Sequence, residues 1–121
     1  ITIINKEHNF YSSAIVGAII PIAVGVAMKL KAEGSKNKVW CFIGDMTSET
    51  GIAQSALRYA SNHQLPITFV IEDNGISVCT ETREVWGNEL LRYQENPYPN
   101  QISYTYKSKY PHAGAGVRVQ F

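Results

Sequence analysis

Two short apolar runs, Val39 to Ile43 and Ile67 to Ile71, constrain the fold more than any other feature of this chain. Neither alternates apolar with polar residues, and both are too short for an ordinary helix, so each reads as a strand buried on both faces. Between them, Gly51 to about Asn62 sets Ile52, Ala56, Tyr59 and Ala60 near helical spacing. Strand, helix and strand within about 35 residues predict a βαβ unit, hence a parallel sheet with a right-handed crossover. Ligands in such sheets collect beyond the carboxyl ends of the strands.

The flanks are less regular. Residues 1–13 are polar and aromatic and read as the tail of a missing element. A helix is expected from Ala18 or Ile19 to about Glu33. Pro21 is compatible only with its first turn, because a deeper proline loses a bond and clashes with the preceding turn. Residues 14–17 are then a loop. Lys29 and Lys31 suit the negative end of the helix dipole, and Gly34 suits its stop. Beyond Thr80 the pattern weakens: a helix is expected over 84–92, a loop with two prolines over 96–100, and strands over 102–107 and 117–121.

At 121 residues the chain makes one domain at most, with a modest core and little room for a self-sufficient enzyme. A net charge of +1 argues neither for nucleic acid nor for an anionic membrane, and neither is expected as a partner. No apolar run approaches the roughly 18 residues of a membrane span. The start at Ile1 without an initiator methionine leads us to expect a fragment or processed chain, and no signal peptide is recognisable. Cys41 and Cys79 are far apart in sequence, which favours a reducing compartment such as the cytoplasm over a structural metal or disulfide.

The chemistry lies where the apolar runs end. Gly44-Asp45-Met46 follows the first, and Glu72-Asp73-Asn74-Gly75 follows the second. Asp45 offers a hard anionic oxygen and Asn74 a neutral carbonyl oxygen. Gly75 permits a sharp turn that brings the Ile76 carbonyl back as a third ligand. Mg²⁺ takes about six oxygens and few carboxylates, so phosphate oxygens and water would complete such a set. Backbone amides over 47–51, at the start of the second helix, are placed to face a phosphate. Each cluster alone has an ordinary structural explanation, an Asn-Gly turn or an Asp helix cap. Both together, at strand ends one crossover apart, favour a site.

These residues carry a family resemblance. Gly44-Asp45, followed after an intervening helix by Asp73-Asn74, resembles the Gly-Asp-Gly…Asn-Asn motif of thiamine-diphosphate-dependent enzymes. Ser13-Ala-Ile-Val-Gly-Ala18, Ile20 to Ala27, Phe42 to Gly51 and Leu65 to Gly75 resemble the alpha subunits of 2-oxo acid dehydrogenases, pyruvate and branched-chain types included. The likeness covers residues 8 to about 80 of a single domain, 1–121, and leaves 81–121 as a divergent tail. It implies a thiamine-diphosphate-binding fold, a three-layer parallel α/β sheet with flanking helices, present here in part. It also implies thiamine diphosphate and Mg²⁺ as cofactors, with Asp45, Asn74 and Ile76 as metal ligands. Gly44 and Met46 then line the diphosphate, and Ala14 and Val16 receive the aminopyrimidine. The implied reaction decarboxylates a 2-oxo acid and passes the acyl unit to a lipoyl carrier. A beta-type partner in a hetero-oligomer supplies the glutamate this chain lacks.

The departures are specific. Met46 stands where the family has glycine, Asp73 replaces the first asparagine, and Gln54-Ser55 stands where relatives often carry His-Glu. The upstream tyrosine-arginine pair and the downstream histidine segment are not recognisable. A transketolase-like half fits Asp73-Asn74-Gly75-Ile76-Ser77 as an alternative, and a degenerate module serving assembly is a second. Among other residues, His8 is a candidate to approach cofactor or substrate. His63 reads as a dipole partner at a helix end, His112 as part of a glycine-rich turn or a substrate-facing loop, and Glu49 as a helix cap or a water-mediated diphosphate contact. Tyr104 and Tyr106 read as strand residues, and Lys29 to Lys38 as a solvated helix end.

Overall fold

The computed structural model describes residues 2–112 and 116–118. Its centre is a parallel sheet ordered β3-β4-β7, formed by Val39–Gly44, Ile67–Asp73 and Gln101–Thr105. Val39 pairs with Ile67 and Gly44 with Glu72, so the carboxyl ends of β3 and β4 stand level. Helix α1 (Ile19–Ala32) precedes β3, and α3 (Gly51–Asn62) makes the expected crossover from β3 to β4. Ile20, Val24 and Ala27 of α1 and Ala53, Leu57 and Ala60 of α3 pack on Cys41, Ile43, Ile67, Phe69 and Ile71 as one core. Full burial of side chains such as Ile20, Leu57 and Phe69 contributes roughly 1.5–3 kcal/mol each.

Local chemistry sets the helix ends. Pro21 does lie in the first turn of α1, and 14–17 form the loop before it. Gly34 takes φ +62° just past Glu33, and Ser35 N donates to Leu30 O at 2.9 Å, closing the helix. In α3 the capping oxygen is Thr50 Oγ1, which accepts from Ala53 N. Lys31 Nζ donates to the His63 carbonyl at the end of α3, and the His63 ring stacks on Tyr59 at 4.1 Å between centroids.

Several expectations need correction. The segment expected to be the tail of a missing element holds an element of its own: β1 (Ile3–Asn5) and β2 (Phe10–Ser12) form a hairpin, turned by Asn9 at φ +50°. Strand β3 is not buried on both faces. Cys41 and Ile43 enter the core, while Trp40 and Phe42 are 55% and 53% exposed; Phe42 pairs with Val70 of β4, which pairs in turn with Ile102 of β7. Among the described residues α1 and α3 cover one face of the sheet, the part of the expected α/β arrangement that is present here. The helix expected over 84–92 is broken. After α2 (Asp45–Ser48) and a small hairpin of β5 (Ile76–Ser77) and β6 (Thr80–Glu81), the chain forms α4 (Thr82–Trp86) and α5 (Arg92–Glu95). Gly87 ends α4 in the left-handed conformation, φ +63°. The strand expected over 102–107 runs from Gln101 to Thr105 and pairs in parallel with β4. Of the strand expected over 117–121, Val117 and Arg118 are in no strand, and 119–121 lie outside the described residues. No helix of the described residues is long and apolar enough to cross a membrane.

Candidate functional site

The carboxyl ends of β3 and β4 open into a cleft of about 380 Å³. Six of the residues singled out from the sequence line it: Val16, Gly44, Asp45, Met46, Asn74 and Ile76. Ala14, two residues before Val16, is exposed and outside the lining. The loop reaches the cleft because Gly17 adopts φ +78° against α3, where an added Cβ would sit 3.1 Å from Ile52 Cγ2. Further lining comes from Glu72, Ser77 and Val78 and from the segment after β7, which adds Tyr106, Ser108, Tyr110 and His112.

A second cleft, about 570 Å³, is larger. It lies between the β1–β2 hairpin, α1 and the amino-terminal half of β3, and its lining contains no carboxylate. Size alone would favour it, but ligands of parallel sheets gather at the other end of the strands. His8 lines this larger cleft, so the structure does not bring it to the residues it was expected to join.

At the strand-end cleft the polar groups are arranged as follows. Asp45 is 2% exposed, and its Oδ2 has no hydrogen-bond partner in the protein. Burial pushes its carboxyl above the usual carboxylate range, the Thr82 hydroxyl and the Met46 amide oppose the shift, and the neighbouring Asp73 adds to it. Asn74 Nδ2 donates to Tyr106 Oη at 3.3 Å and to Ser108 Oγ at 3.2 Å, while its Oδ1 accepts from Ile76 N at 3.1 Å. One lone pair of Oδ1 is thus left for a ligand. Gly75 supplies the expected sharp turn at φ +81°. Among the described residues no three His, Cys, Asp or Glu side chains cluster as a metal cage. A cation here would draw part of its shell from phosphate and water, as Mg²⁺ does.

Two of the family departures, Met46 and Asp73, have structural answers. Met46 lies inside α2 and is not among the residues with positive φ, so the side chain imposes no backbone strain. Gly44 has φ −77°, and a Cβ there would meet nothing within 4 Å. The local fold does not demand glycine at 44, and the space beside it opens on the cleft. Asp73 is turned away from the cleft lining and is 3% exposed. Burial alone would raise its carboxyl, but bonds from Arg83, Tyr93 and the Gly75 amide overcome this and hold it at about 2.

Two other expectations change. The cleft meets the single turn of α2 through Asp45, Met46 and Thr47, not the start of α3, because Ser48 is buried and the Thr50 amide is bonded to Thr47 O. Glu49 does not cap α3, whose N-cap is Thr50; it is the C-cap residue of α2. Its carboxylate accepts from Ser48 Oγ and, at 3.1 Å, from the Arg92 amide, tying α2 to α5. Sequence reasoning gave little weight to Tyr106 and His112 and none to Ser108 or Tyr110. Their place in the cleft follows from β7 pairing beside β4, with Tyr106 N donating to Asp73 O at 2.8 Å. Val78 at φ +60° is a β-branched residue in a left-handed turn at the cleft.

Known proteins resemble this chain in sequence and in fold. The pyruvate dehydrogenase E1 component subunit alpha of Rickettsia typhi is 33% identical over 91 residues, which is 74% of this chain and 28% of that protein. The mitochondrial 2-oxoisovalerate dehydrogenase subunit alpha of Caenorhabditis elegans is 31% identical over 86 residues, 69% of this chain and 20% of its own length. A solved structure from Mycobacterium smegmatis, described as a thiamin diphosphate-dependent enzyme, superposes with a TM-score of 0.50 at 32% identity. It covers 57% of this chain and 13% of its own. The chain thus spans about a quarter of the length of the curated relatives it matches. The sequence model of the dehydrogenase E1 component matches residues 1–89. With that match, and with a parallel α/β sheet whose strand ends carry the cleft, the chain belongs to the dehydrogenase E1 component family, of the 2-oxo acid dehydrogenase alpha type.

Proposed function

We propose that this chain holds the diphosphate and metal end of a thiamine diphosphate site in a 2-oxo acid dehydrogenase. The observation that carries the proposal is Asp45 Oδ2, a buried carboxylate oxygen without a protein partner in the cleft where Asn74, Ile76 and Gly44 converge. A buried polar atom left unpaired costs about 1–3 kcal/mol. A bound Mg²⁺ would offset that cost, with Asp45, Asn74 Oδ1 and the Ile76 carbonyl as its protein ligands. The open space beside Gly44 and the backbone of Met46 would admit the diphosphate, and Val16 would supply an apolar wall for the heterocycle. When bound, thiamine diphosphate supplies a carbanion equivalent that accepts the acyl carbon of a 2-oxo acid as carbon dioxide leaves. The chain's own part is to fix the cofactor's charged end: Tyr106 and Ser108 hold the Asn74 amide so that its oxygen faces Ile76 and the cleft.

The acids at the cleft, Asp45 and Glu72, lie at the strand ends with the diphosphate, so this reading assigns the acid for the aminopyrimidine to a beta-type partner. Exposed Trp40, Phe42, Ile102 and Tyr104 leave apolar sheet surface for further polypeptide to cover, consistent with a composite assembly that delivers its acyl product to a lipoyl carrier. Both cysteines are free, which suits a reducing compartment such as the cytoplasm. Titration calorimetry of the whole protein with thiamine diphosphate should give saturable heat in Mg²⁺ and none after chelation with EDTA. Heat that ignores Mg²⁺, or no heat with the partner present, would overturn the proposal.

A further inference from the structure

Asp73 is an acid placed one residue before a proposed metal ligand, and its surroundings are unusually complete. Arg83 clamps it with Nη2 at 2.8 Å from Oδ2 and Nη1 at 3.3 Å from Oδ1. Tyr93 Oη donates to Oδ2, and Gly75 N donates to Oδ1 at 2.9 Å. Arg83 is itself held, with Nε donating to the Glu89 carbonyl at 3.1 Å and Nη2 to Gln94 Oε1 at 3.4 Å. Its side chain is 29% exposed while that of Asp73 is 3% exposed, so the pair reaches from the interior toward the surface behind the cleft. The bond from Gly75 N is the one that closes the turn carrying Asn74, whose amide is fixed in turn by Ile76, Tyr106 and Ser108.

We infer that Arg83 is a positioning residue for the cofactor's charged end, acting through Asp73. Resting on the cofactor reading above, it has two effects, of which the second, the effect on charge, is the larger. It locks the Asp73–Gly75 turn that aims Asn74, and it cancels the Asp73 charge, so that Asp45 and Glu72 are the acids left facing a bound anion. Without Arg83 the strand ends would carry one more unneutralised carboxylate. A cation alone would then be held more tightly and a diphosphate less tightly. A merely structural clamp would, on failing, loosen both.

The opposite signs make the test. In the whole protein, Mn²⁺ alone is titrated by water-proton relaxation, and thiamine diphosphate at saturating Mg²⁺ by calorimetry. For Arg83→Gln the expected result is thiamine diphosphate affinity lower by about tenfold and Mn²⁺ affinity higher by severalfold. Arg83→Lys should restore most of the parent behaviour. Asp73→Asn, which keeps Arg83 and removes the acid, serves if Arg83→Gln does not fold and should move both affinities the other way. The double variant should return thiamine diphosphate affinity to within about threefold of the parent. Parallel weakening of both ligands, or no change in either, overturns the inference while leaving the cofactor reading intact. A parent protein that binds no thiamine diphosphate overturns the cofactor reading and this inference with it.

Discussion

Substitution of Asp45 by asparagine should make the empty protein more stable and the cofactor-loaded protein less so. Asp45 is 2% exposed, its Oδ2 is unpaired, and the Asp73 carboxylate is its neighbour. Leaving such an atom unsatisfied costs about 1–3 kcal/mol, and asparagine replaces it with a donor that can face Asp73. Taking about 1–2 kcal/mol as recovered, a domain with the usual unfolding entropy of about 2.1 cal/mol/K per residue gains about 4 °C per kcal/mol over 121 residues. The ligand-free variant should therefore melt about 4–8 °C above the ligand-free parent. With thiamine diphosphate and Mg²⁺ at 100 times the dissociation constant, the parent gains about 2.7 kcal/mol, or about 10 °C, and the variant gains nothing. The two melting temperatures should cross when ligand is added, a pattern readable by differential scanning calorimetry with and without cofactor. A ligand-free variant that melts below the parent would show that Asp45 is satisfied by the protein itself. The argument from the orphaned oxygen would then fail.

Two further outcomes follow from the same cleft and core. Gly44→Ala places a Cβ in open space at a φ any residue adopts, so chemical denaturation should show a gain of about 0.4–1 kcal/mol while thiamine diphosphate affinity falls at least tenfold; unchanged affinity would remove Gly44 from the cradle. Burial pushes the Cys41 thiol up to about 11, so at pH 8 a disulfide reagent should label exposed Cys79 in the native protein and reach Cys41 only after denaturation. Because the raised value favours the neutral thiol in the fold, stability is full below about pH 9 and declines toward 11. Cys41→Ala should flatten that alkaline limb by an amount on the order of 2 kcal/mol in urea titrations.

The central unit was legible because its signals are local. Five apolar residues ending in Gly-Asp or Glu-Asp-Asn, with an amphipathic helix between, leave few alternatives to parallel strands whose ends meet. Pro21 and Gly34 bounded α1 for equally local reasons. Trp40 and Phe42 misled for a different reason. Apolar residues on both sides of a strand argue for burial in a complete protein, and this chain spans about a quarter of its relatives' length. The β1–β2 hairpin was missed because its turn depends on Asn9 at positive φ and on Asn5 Oδ1 accepting from His8 N, neither visible as periodicity. The break at Gly87 was readable in principle, since a glycine after a short helical pattern is a common stop. Tyr106, Ser108, Tyr110 and His112 were not, because only the pairing of β7 with β4, some 30 residues away in sequence, brings them to the cleft.

Asp73 joins the legible and illegible parts. From the motif alone, an acid in place of asparagine added charge beside a proposed metal site, with either sign of effect open. The structure answers through residues further along the chain: Arg83, inside the matched residues 1–89, lies ten positions on, and Tyr93, beyond them, twenty. A carboxylate buried to this degree is strongly unfavourable unless paired and hydrogen-bonded; beside the Gly75 amide, its two side-chain donors are Arg83 and Tyr93. The acid at 73 and the side chains of Arg83 and Tyr93 are therefore one physical arrangement. Restoring asparagine at 73 without altering Arg83 would leave a partly buried guanidinium short of its anion, so the residue closest to the family pattern is not the neutral choice in this chain.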